Sequence, residues 1–286
     1  MTQVMAESMT DLDVGNVVSL EHVNVTVPDQ TVATLFYVAG LGFTRDPYMM
    51  TSVENMWINL GEQQFHLPTR TPQVIPGHVG LVVPDRAALQ TRLEAVQPQL
   101  AGTRFSWTAE DEYVLVTCPW GNHFQCYAPS VRFGDMVLGM PYVEFLAGRG
   151  TAASIAAFYE QVMRAPAALE RDGHDAVARV SIGRDQWLLF READEAIPPY
   201  DGHHIAVYVA NFTGPYTFLR DRGLITEDVR NRQFRFQDIV DPRTGERVFV
   251  LEHEVRSLHH RMYHRPLVNR DPAQTLGGYA RGRDAL

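Results

Sequence analysis

The chain has 286 residues, enough for two ordinary domains that each bury a core. Hydrophobic residues make up 45% and charged residues 21%, which describes a globular protein, and the net charge of −9 argues against binding to nucleic acid, whose phosphates need clustered lysine and arginine. No apolar run approaches the roughly 18 residues that a membrane span requires, so we expect neither nucleic acid nor membrane as a partner.

Residues 1–17 carry acidic side chains and lack the basic start and apolar run of a signal peptide, so we predict a disordered N-terminal tail. Cys118 and Cys126 are the two cysteines of the chain. With so few thiols, a disulfide framework is not expected, and a reducing, cytoplasmic location is favoured.

The first strand-like run is LEHVNVTVPD at residues 20–29. Valines at every second position alternate with His22, Asn24 and Thr26, which is the period-two pattern of a strand with one apolar and one polar face. Asp29 is a suitable N-cap for the helix pattern that follows at Thr31–Val38. We therefore predict a strand and then a helix, with a histidine on the polar face of the strand.

Three later segments open in the same way: after LEHVNVTVPD come PGHVGLVVPD, MPYVEFLAGRG and DGHHIAVYVAN. The residues in register are His22, His78, Glu144 and His204, at steps of 56, 66 and 60 residues. Each opening strand precedes a helix pattern and about three short strands with turn residues between them. The chain therefore contains four repeats of one βαβββ module.

A linker is predicted at Pro129–Leu138, between the second and third modules. We place the domain boundary there, so that residues 18–132 form a first domain of two modules and residues 139–256 a second. Residues 257–286 have little apolar periodicity and predict an irregular C-terminal arm. Such an arm can pack on its own domain or on a neighbouring subunit, which leaves a homo-oligomer open.

These motifs together resemble the vicinal oxygen chelate superfamily, which includes glyoxalase I, methylmalonyl-CoA epimerase, fosfomycin-resistance proteins and the type I extradiol ring-cleaving dioxygenases. The resemblance covers roughly residues 18–256 and is carried by EHVNVTVPD, the FYVAGLGF helix end, GHVGLVV, FYEQVM and GHHIAVYV. It implies an α+β fold in which four βαβββ modules pair into two open curved barrels. Four modules in one chain are most similar to the extradiol dioxygenases.

The resemblance also implies a divalent metal inside a barrel, held by residues on the first and last strands of each module. In the first domain these positions fall on His22, His66, His78 and Gln125, and all four side chains can donate a lone pair. Imidazole suits Fe, Zn, Ni, Cu or Mn, and we expect Fe(II), with Mn, Zn and Ni as alternatives. This set is the metal site that the sequence favours.

The second domain supplies a weaker candidate set, because Leu188 and Val248 stand at two of its four positions and cannot bind a metal. Its candidates are Glu144, His204 and Glu252. Glu252 lies four residues beyond the expected position, roughly 13 Å along a strand. The extradiol enzymes hold their iron in the second domain on two histidines and a glutamate, so this chain departs from that pattern.

Other polar residues admit both a functional and a structural interpretation. Glu144 lies in an apolar strand and needs a partner, for which His204 and Arg235 are the candidates. It is either an acid-base group or second-metal ligand, or half of a buried ion pair that braces the barrel. Tyr208 and Arg235 are candidate substrate-binding residues.

Three functions stay open at this point. The first is a metal-dependent oxygenase that acts on a small aromatic or enolic substrate chelated to the metal. The second is a glyoxalase-like isomerase, epimerase or lyase in which the metal is a Lewis acid; Glu54 or Glu62 would then have to serve as the base. The third is a non-catalytic protein that binds a small molecule.

Overall fold

A computed structural model describes residues 13–48 and 54–267 of the chain. It has an α+β fold with two eight-stranded curved sheets that do not close into barrels. Most of the predicted N-terminal tail and residues 268–286 of the predicted arm lie outside the described residues. Within them, no helix has both the length and the apolar character to cross a membrane.

The sixteen strands of the described residues fall into four groups of four, one for each predicted module. In chain order they are β1 (Val17–Asn24), β2 (Thr44–Arg45), β3 (Asn55–Leu60), β4 (Gln63–Pro68), β5 (Gly77–Val82), β6 (Ser106–Ala109), β7 (Tyr113–Thr117), β8 (His123–Tyr127), β9 (Gly139–Gly148), β10 (Ala167–Asp172), β11 (Asp175–Gly183), β12 (Gln186–Ala193), β13 (His204–Val209), β14 (Ile225–Arg230), β15 (Gln233–Val240) and β16 (Arg247–Ser257). The predicted internal repeat is therefore present in the strand order.

Each module has one helix after its first strand, as predicted. The helices are α1 (Gln30–Ala33), α2 (Arg86–Val96), α3 (Ala152–Phe158) and α4 (Thr213–Arg220). α1 and α3 continue as π-helical turns over Thr34–Gly40 and Tyr159–Met163, and a short 3₁₀ turn at Val131–Phe133 lies in the predicted linker. The Asp29 carboxylate accepts hydrogen bonds from the backbone N–H groups of Thr31 and Val32, which confirms it as the N-cap of α1.

The modules do not pair as the sequence analysis expected. The strand order of the first sheet is β14-β15-β16-β13-β1-β4-β3-β2, and that of the second sheet is β10-β11-β12-β9-β5-β8-β7-β6. The first module thus shares a sheet with the fourth, and the second module shares a sheet with the third. Neither predicted domain, residues 18–132 or residues 139–256, forms a sheet of its own. The expected pairing of consecutive modules is therefore wrong.

The joints between modules are the antiparallel pairs β1–β13 and β5–β9. Glycines make the second joint tight: a Cβ on Gly77 would lie 2.1 Å from the Glu144 carbonyl oxygen, and one on Gly80 would lie 2.2 Å from the Tyr142 ring. All four opening strands have a similar sequence, so strand pattern alone does not tell which two of them will pair.

Each sheet has an apolar face that packs with the helices into one continuous core, which includes Phe36, Phe124, Phe158 and Phe236. The opposite face of each sheet is polar. His22 and Asn24 of β1 lie on the polar face of the first sheet, as the alternation of LEHVNVTVPD predicts. The polar faces are therefore where chemistry can be placed.

His253 is one histidine on the apolar side of β16. Its Nε2 atom lies 2.7 Å from the Tyr159 hydroxyl, and its ring stacks on Phe236 at 4.4 Å. Burial lowers the pKa of His253 to about 4, against a hydrogen bond from Nδ1 to the Leu251 carbonyl that raises it. The side chain is therefore neutral in the folded protein at neutral pH.

This depressed pKa predicts a loss of stability in mild acid. Between pH 6.5 and about 4 the unfolded chain binds a proton on His253 that the folded chain does not, so stability falls as the pH falls, by about 1.4 kcal/mol per pH unit from this residue. Urea unfolding at pH 6.5, 5.5 and 4.5 measures the slope. The slope should be smaller by that amount in a His253→Gln variant, and equal slopes would contradict the prediction.

Candidate metal centre

The polar face of the first sheet brings three histidines together. They are His22 on β1, His66 on β4 and His204 on β13, and one ring nitrogen from each lies within 4.8 Å of the others. The register explains the grouping, because Asn24 of β1 is paired with His66 on one side and with His204 on the other. Among the described residues this is the group of histidine, cysteine or acidic side chains with the spacing of a metal site.

His22 is held by its sequence neighbour. The Glu21 carboxylate accepts a hydrogen bond from Nδ1–H of His22, which leaves Nε2 as the lone-pair nitrogen. That Nε2 atom is buried and has no hydrogen-bond partner. Burial opposes ionisation of Glu21, but the Arg256 guanidinium, 2.8 Å away, and His22 together hold the pKa of this carboxyl well below its usual range.

His66 and His204 are set up in a similar way. The Asn55 side-chain oxygen lies 2.8 Å from Nε2 of His66, which leaves Nδ1 of that ring as the acceptor. Nε2 of His204 is buried without a partner. Burial and the nearby His22 lower the pKa of both His66 and His204 well below the usual value, so both rings are neutral.

Aromatic contacts fix the orientation of two of these rings. Trp57 on β3 stacks on His66 with ring centroids 3.9 Å apart and meets the edge of His22 at 4.8 Å. Because Trp57 is only 6% exposed, the histidines are shielded from bulk water on this side. The sheet therefore supplies imidazoles in fixed orientations with lone pairs available, which is the form that binds a divalent metal.

The donor set fits such a metal. Two buried imidazole nitrogens without partners are costly in an apolar surrounding unless something accepts their lone pairs. Three imidazoles grouped around one point can hold a transition metal and leave further coordination positions free. A metal held there would satisfy atoms that the protein itself leaves unsatisfied.

Glu252 lies next to this cluster and not 13 Å beyond it. In the parallel pairing of β13 with β16, His204 is directly opposite Glu252. The expected position of the ligand on β16 was wrong. β16 is eleven residues long and pairs with β13 through its second half, so counting from the preceding turn misplaces the register. One Glu252 oxygen lies 3.7 Å from Nδ1 of His204 and 2.6 Å from the Arg235 guanidinium.

The other favoured candidates lie in the second sheet, away from His22 and His66. His78 is opposite Glu144 across the β5–β9 pair, and its Nδ1 atom lies 3.5 Å from the Glu144 carboxylate. The Gln125 side-chain oxygen accepts hydrogen bonds from Tyr127 at 2.5 Å and Tyr142 at 2.8 Å. The structure therefore divides the set His22, His66, His78 and Gln125 between two sheets, because the modules pair differently from the expectation.

Glu144 has the ion-pair partner that the sequence analysis required, but it is a different residue. Arg191 on β12 donates two hydrogen bonds to its carboxylate, each 3.1 Å long. Neither His204 nor Arg235, the expected partners, lies in this sheet. The polar groups of this second-sheet cluster are therefore hydrogen-bonded or ion-paired to one another, and their charges do not require a metal.

The two candidate substrate-binding residues lie in the first sheet. Arg235 makes ion pairs with three carboxylates, those of Glu227, Glu252 and Glu254. Tyr208 is opposite Ser19 on β1, at the far end of β13 from His204, and it is 3% exposed. Arg235 thus borders the histidine cluster through Glu252, whereas Tyr208 belongs to a separate part of the polar face.

Sequence reasoning missed several residues that shape this site. Glu21 should face away from His22 by simple alternation, but a register shift between Leu20 and His22 turns both toward the polar face. Arg265 of the C-terminal arm forms a buried ion pair with Asp46 at 2.5 Å, a contact over 219 residues with no local signal. Glu254 and Arg256 of β16 are also buried near this site. The alternating charges of EHEVR were the signal in the sequence that indicated them.

Comparison with solved structures shows the fold. A Bacillus subtilis protein proposed to be a dioxygenase matches with a TM-score of 0.55 at 16% identity, over 85% of this chain and 86% of that one. Glyoxalase I from Zea mays matches with a TM-score of 0.54 at 13% identity, over 82% of this chain and 91% of that one, and a mutant form of the same maize enzyme gives 0.57. No known family profile and no curated protein sequence matches.

These matches define the class of fold: the chain has the vicinal oxygen chelate fold, in a two-sheet, four-module form. The proteins to which it is similar include a glyoxalase I and a proposed dioxygenase. Their sequence identities are so low that the similarity shows the fold alone.

The Arg191–Glu144 pair gives a prediction about stability. In an Arg191→Met variant the Glu144 carboxylate, whose side chain is 8% exposed, loses both of its arginine hydrogen bonds. Breaking a buried pair in this way costs about 3 kcal/mol of unfolding free energy, which urea denaturation measures. The double variant Arg191→Met, Glu144→Gln should recover much of that loss, and a single variant as stable as wild type would contradict the pairing.

Proposed function

We propose that this protein is a metal-dependent enzyme that holds a divalent cation on His22, His66 and His204. The observation that carries the proposal is the pair of buried, unpartnered Nε2 atoms of His22 and His204, grouped with a ring nitrogen of His66 within 4.8 Å. Imidazole suits iron, and iron reacts with oxygen, so we propose Fe(II) as the metal, with Mn, Zn and Ni as alternatives.

The reaction proposed is that of an oxygenase acting on a small aromatic or enolic substrate. A metal held by His22, His66 and His204 would supply a Lewis-acid centre for a substrate with two neighbouring oxygens and would allow reaction with O2. The solved structures with this fold include a protein proposed to be a dioxygenase, which supports the choice by analogy of fold.

The residues of the chain would act by positioning and by charge. Glu21 fixes the tautomer of His22, and Trp57 fixes the plane of His66. Arg235 borders the cluster, and its ion pair with Glu252 holds that carboxylate beside His204. His22 and His204 are buried and His66 is half-buried, so the centre is largely shielded from bulk water, which strengthens the electrostatic contacts there.

A second candidate is a glyoxalase-like isomerase, epimerase or lyase, which needs a carboxylate base beside the metal. Glu252 meets that need better than Glu54 or Glu62, because it lies directly opposite His204. The choice between these reactions depends on whether oxygen is consumed.

Metal content tests the proposed ligand set. Protein purified under anaerobic conditions should contain about one equivalent of transition metal by elemental analysis, and His22→Ala, His66→Ala or His204→Ala should each lower it at least tenfold. His78→Ala is the matched control, because its ring sits in the internally satisfied cluster of the second sheet. A metal-free wild type would favour the non-catalytic alternative, and loss of metal in His78→Ala would mean that the ligand set is wrong.

Oxygen uptake separates the two enzymatic alternatives. With an Fe(II)-loaded protein and a panel of catechols and cyclic enols, the oxygenase proposal expects uptake that an oxygen electrode detects and that His204→Ala abolishes. The isomerase alternative expects no uptake, together with exchange of a substrate C–H proton for deuterium that Glu252→Gln slows by roughly 10²-fold or more. Exchange without uptake would overturn the oxygenase proposal.

A further inference from the structure

We propose that the cavity between the C-terminal arm and the polar face of the first sheet is a second binding site, for a small uncharged molecule with a hydrogen-bond acceptor. Of the C-terminal arm, only residues 258–267 are meant. The cavity has a volume of about 370 Å³ and is lined by Glu21, Gln64, Tyr208, Met262, Tyr263 and Arg265, among others. None of the three clustered histidines lines it, so the inference does not depend on the proposed metal.

The buried hydroxyl of Tyr208 is the feature that indicates a ligand. Tyr208 lines the cavity, is 3% exposed, and its O–H has no hydrogen-bond acceptor among the described residues, since the neighbouring Arg256 guanidinium can only donate. Burial raises the pKa of this phenol, with the Glu21 carboxylate acting in the same direction and the Arg256 guanidinium opposing, so the hydroxyl is neutral. A buried neutral O–H without an acceptor costs free energy that a ligand acceptor would restore.

The arm is fixed firmly enough to be a wall of the site. Arg265 forms a buried ion pair with Asp46, and its guanidinium lies 5.0 Å from the centre of the Tyr48 ring. Met262 packs with Tyr48 and Trp57 in a small apolar cluster, and the Tyr263 ring lies 4.9 Å from that of Tyr208. Because both partners of the ion pair are almost fully buried, loss of either would release the wall.

The charges of the lining select the ligand. Glu21 already binds Arg256 and His22, so its acceptor capacity is largely occupied, and its negative charge disfavours an anionic ligand. Arg265 is occupied by Asp46, so the arginine of the described lining does not offer its charge to a carboxylate or phosphate. The two tyrosine rings favour a flat apolar body, so an aromatic ketone or amide fits the lining best.

A neighbouring cavity of about 330 Å³ extends the site toward the second sheet. It shares Ser19, Gly61, Glu62, Tyr263 and His264 with the first cavity and continues to Arg184 and Gln186. A ligand of drug size could therefore reach from Tyr208 to residues of the third module. The volumes of the two cavities are within the range of ordinary small-molecule sites.

Acetophenone and benzamide are the probes that test this site, with benzoate as the charged comparison. Isothermal titration or ligand-observed NMR on the full chain should show binding of the neutral probes at millimolar or lower concentration, unchanged after the metal is removed with EDTA. Tyr208→Phe should weaken that binding by roughly fivefold, the size of one neutral hydrogen bond. Tyr216→Phe, at a tyrosine on α4 outside the cavity, makes the same chemical change and should leave binding unaltered.

A second variant fills the space without touching the hydroxyl. Ser19 lines both cavities, so Ser19→Leu should abolish probe binding while the protein stays folded by circular dichroism. The proposal is overturned if neither neutral probe binds wild type, if Tyr208→Phe and Ser19→Leu bind as wild type does, or if benzoate binds more tightly than benzamide. Binding that disappears when the metal is removed would place the probes at the histidine cluster and would equally overturn it.

Discussion

The antiparallel pairing of β1 with β13 is the contact on which the candidate site depends. It sets Asn24 opposite His204 and so brings a histidine of the fourth module beside two histidines of the first. A shift of this pairing by one residue would turn every side chain of one strand to the other face. The histidine cluster depends directly on this register, and the β13–β16 pairing then places Glu252 beside it.

Around the cluster, the polar face of the first sheet contains a network of buried charges. Glu254 binds both Arg235 and Arg256, and the latter also binds Glu21. The arginines offset the burial that acts against ionisation and hold the pKa of Glu254 at about 2. Each carboxylate is thus kept charged by an arginine, and the charged Glu21 keeps His22 in a single tautomer. The second sheet has a comparable cluster, but there the charges satisfy one another.

Much of the fold could be predicted because it repeats. The alternation in LEHVNVTVPD and the capping Asp29 are local signals, and the structure confirms both of them. His22, His66 and His204 were all among the candidate residues, but two were assigned to one site and the third to another. Their grouping depends on which modules pair, and four nearly equivalent opening strands give no local clue to that choice.

The candidate metal centre takes its residues from both ends of the described chain, at positions 22, 66 and 204. During synthesis on the ribosome, the first two histidines emerge long before the third. A nascent chain of two or three modules therefore contains no complete ligand set, and its β1 has an unpaired edge until β13 arrives. Such a chain must form the long-range β1–β13 contact before the proposed ligand set is complete, so metal uptake would report that the fourth module has joined the first.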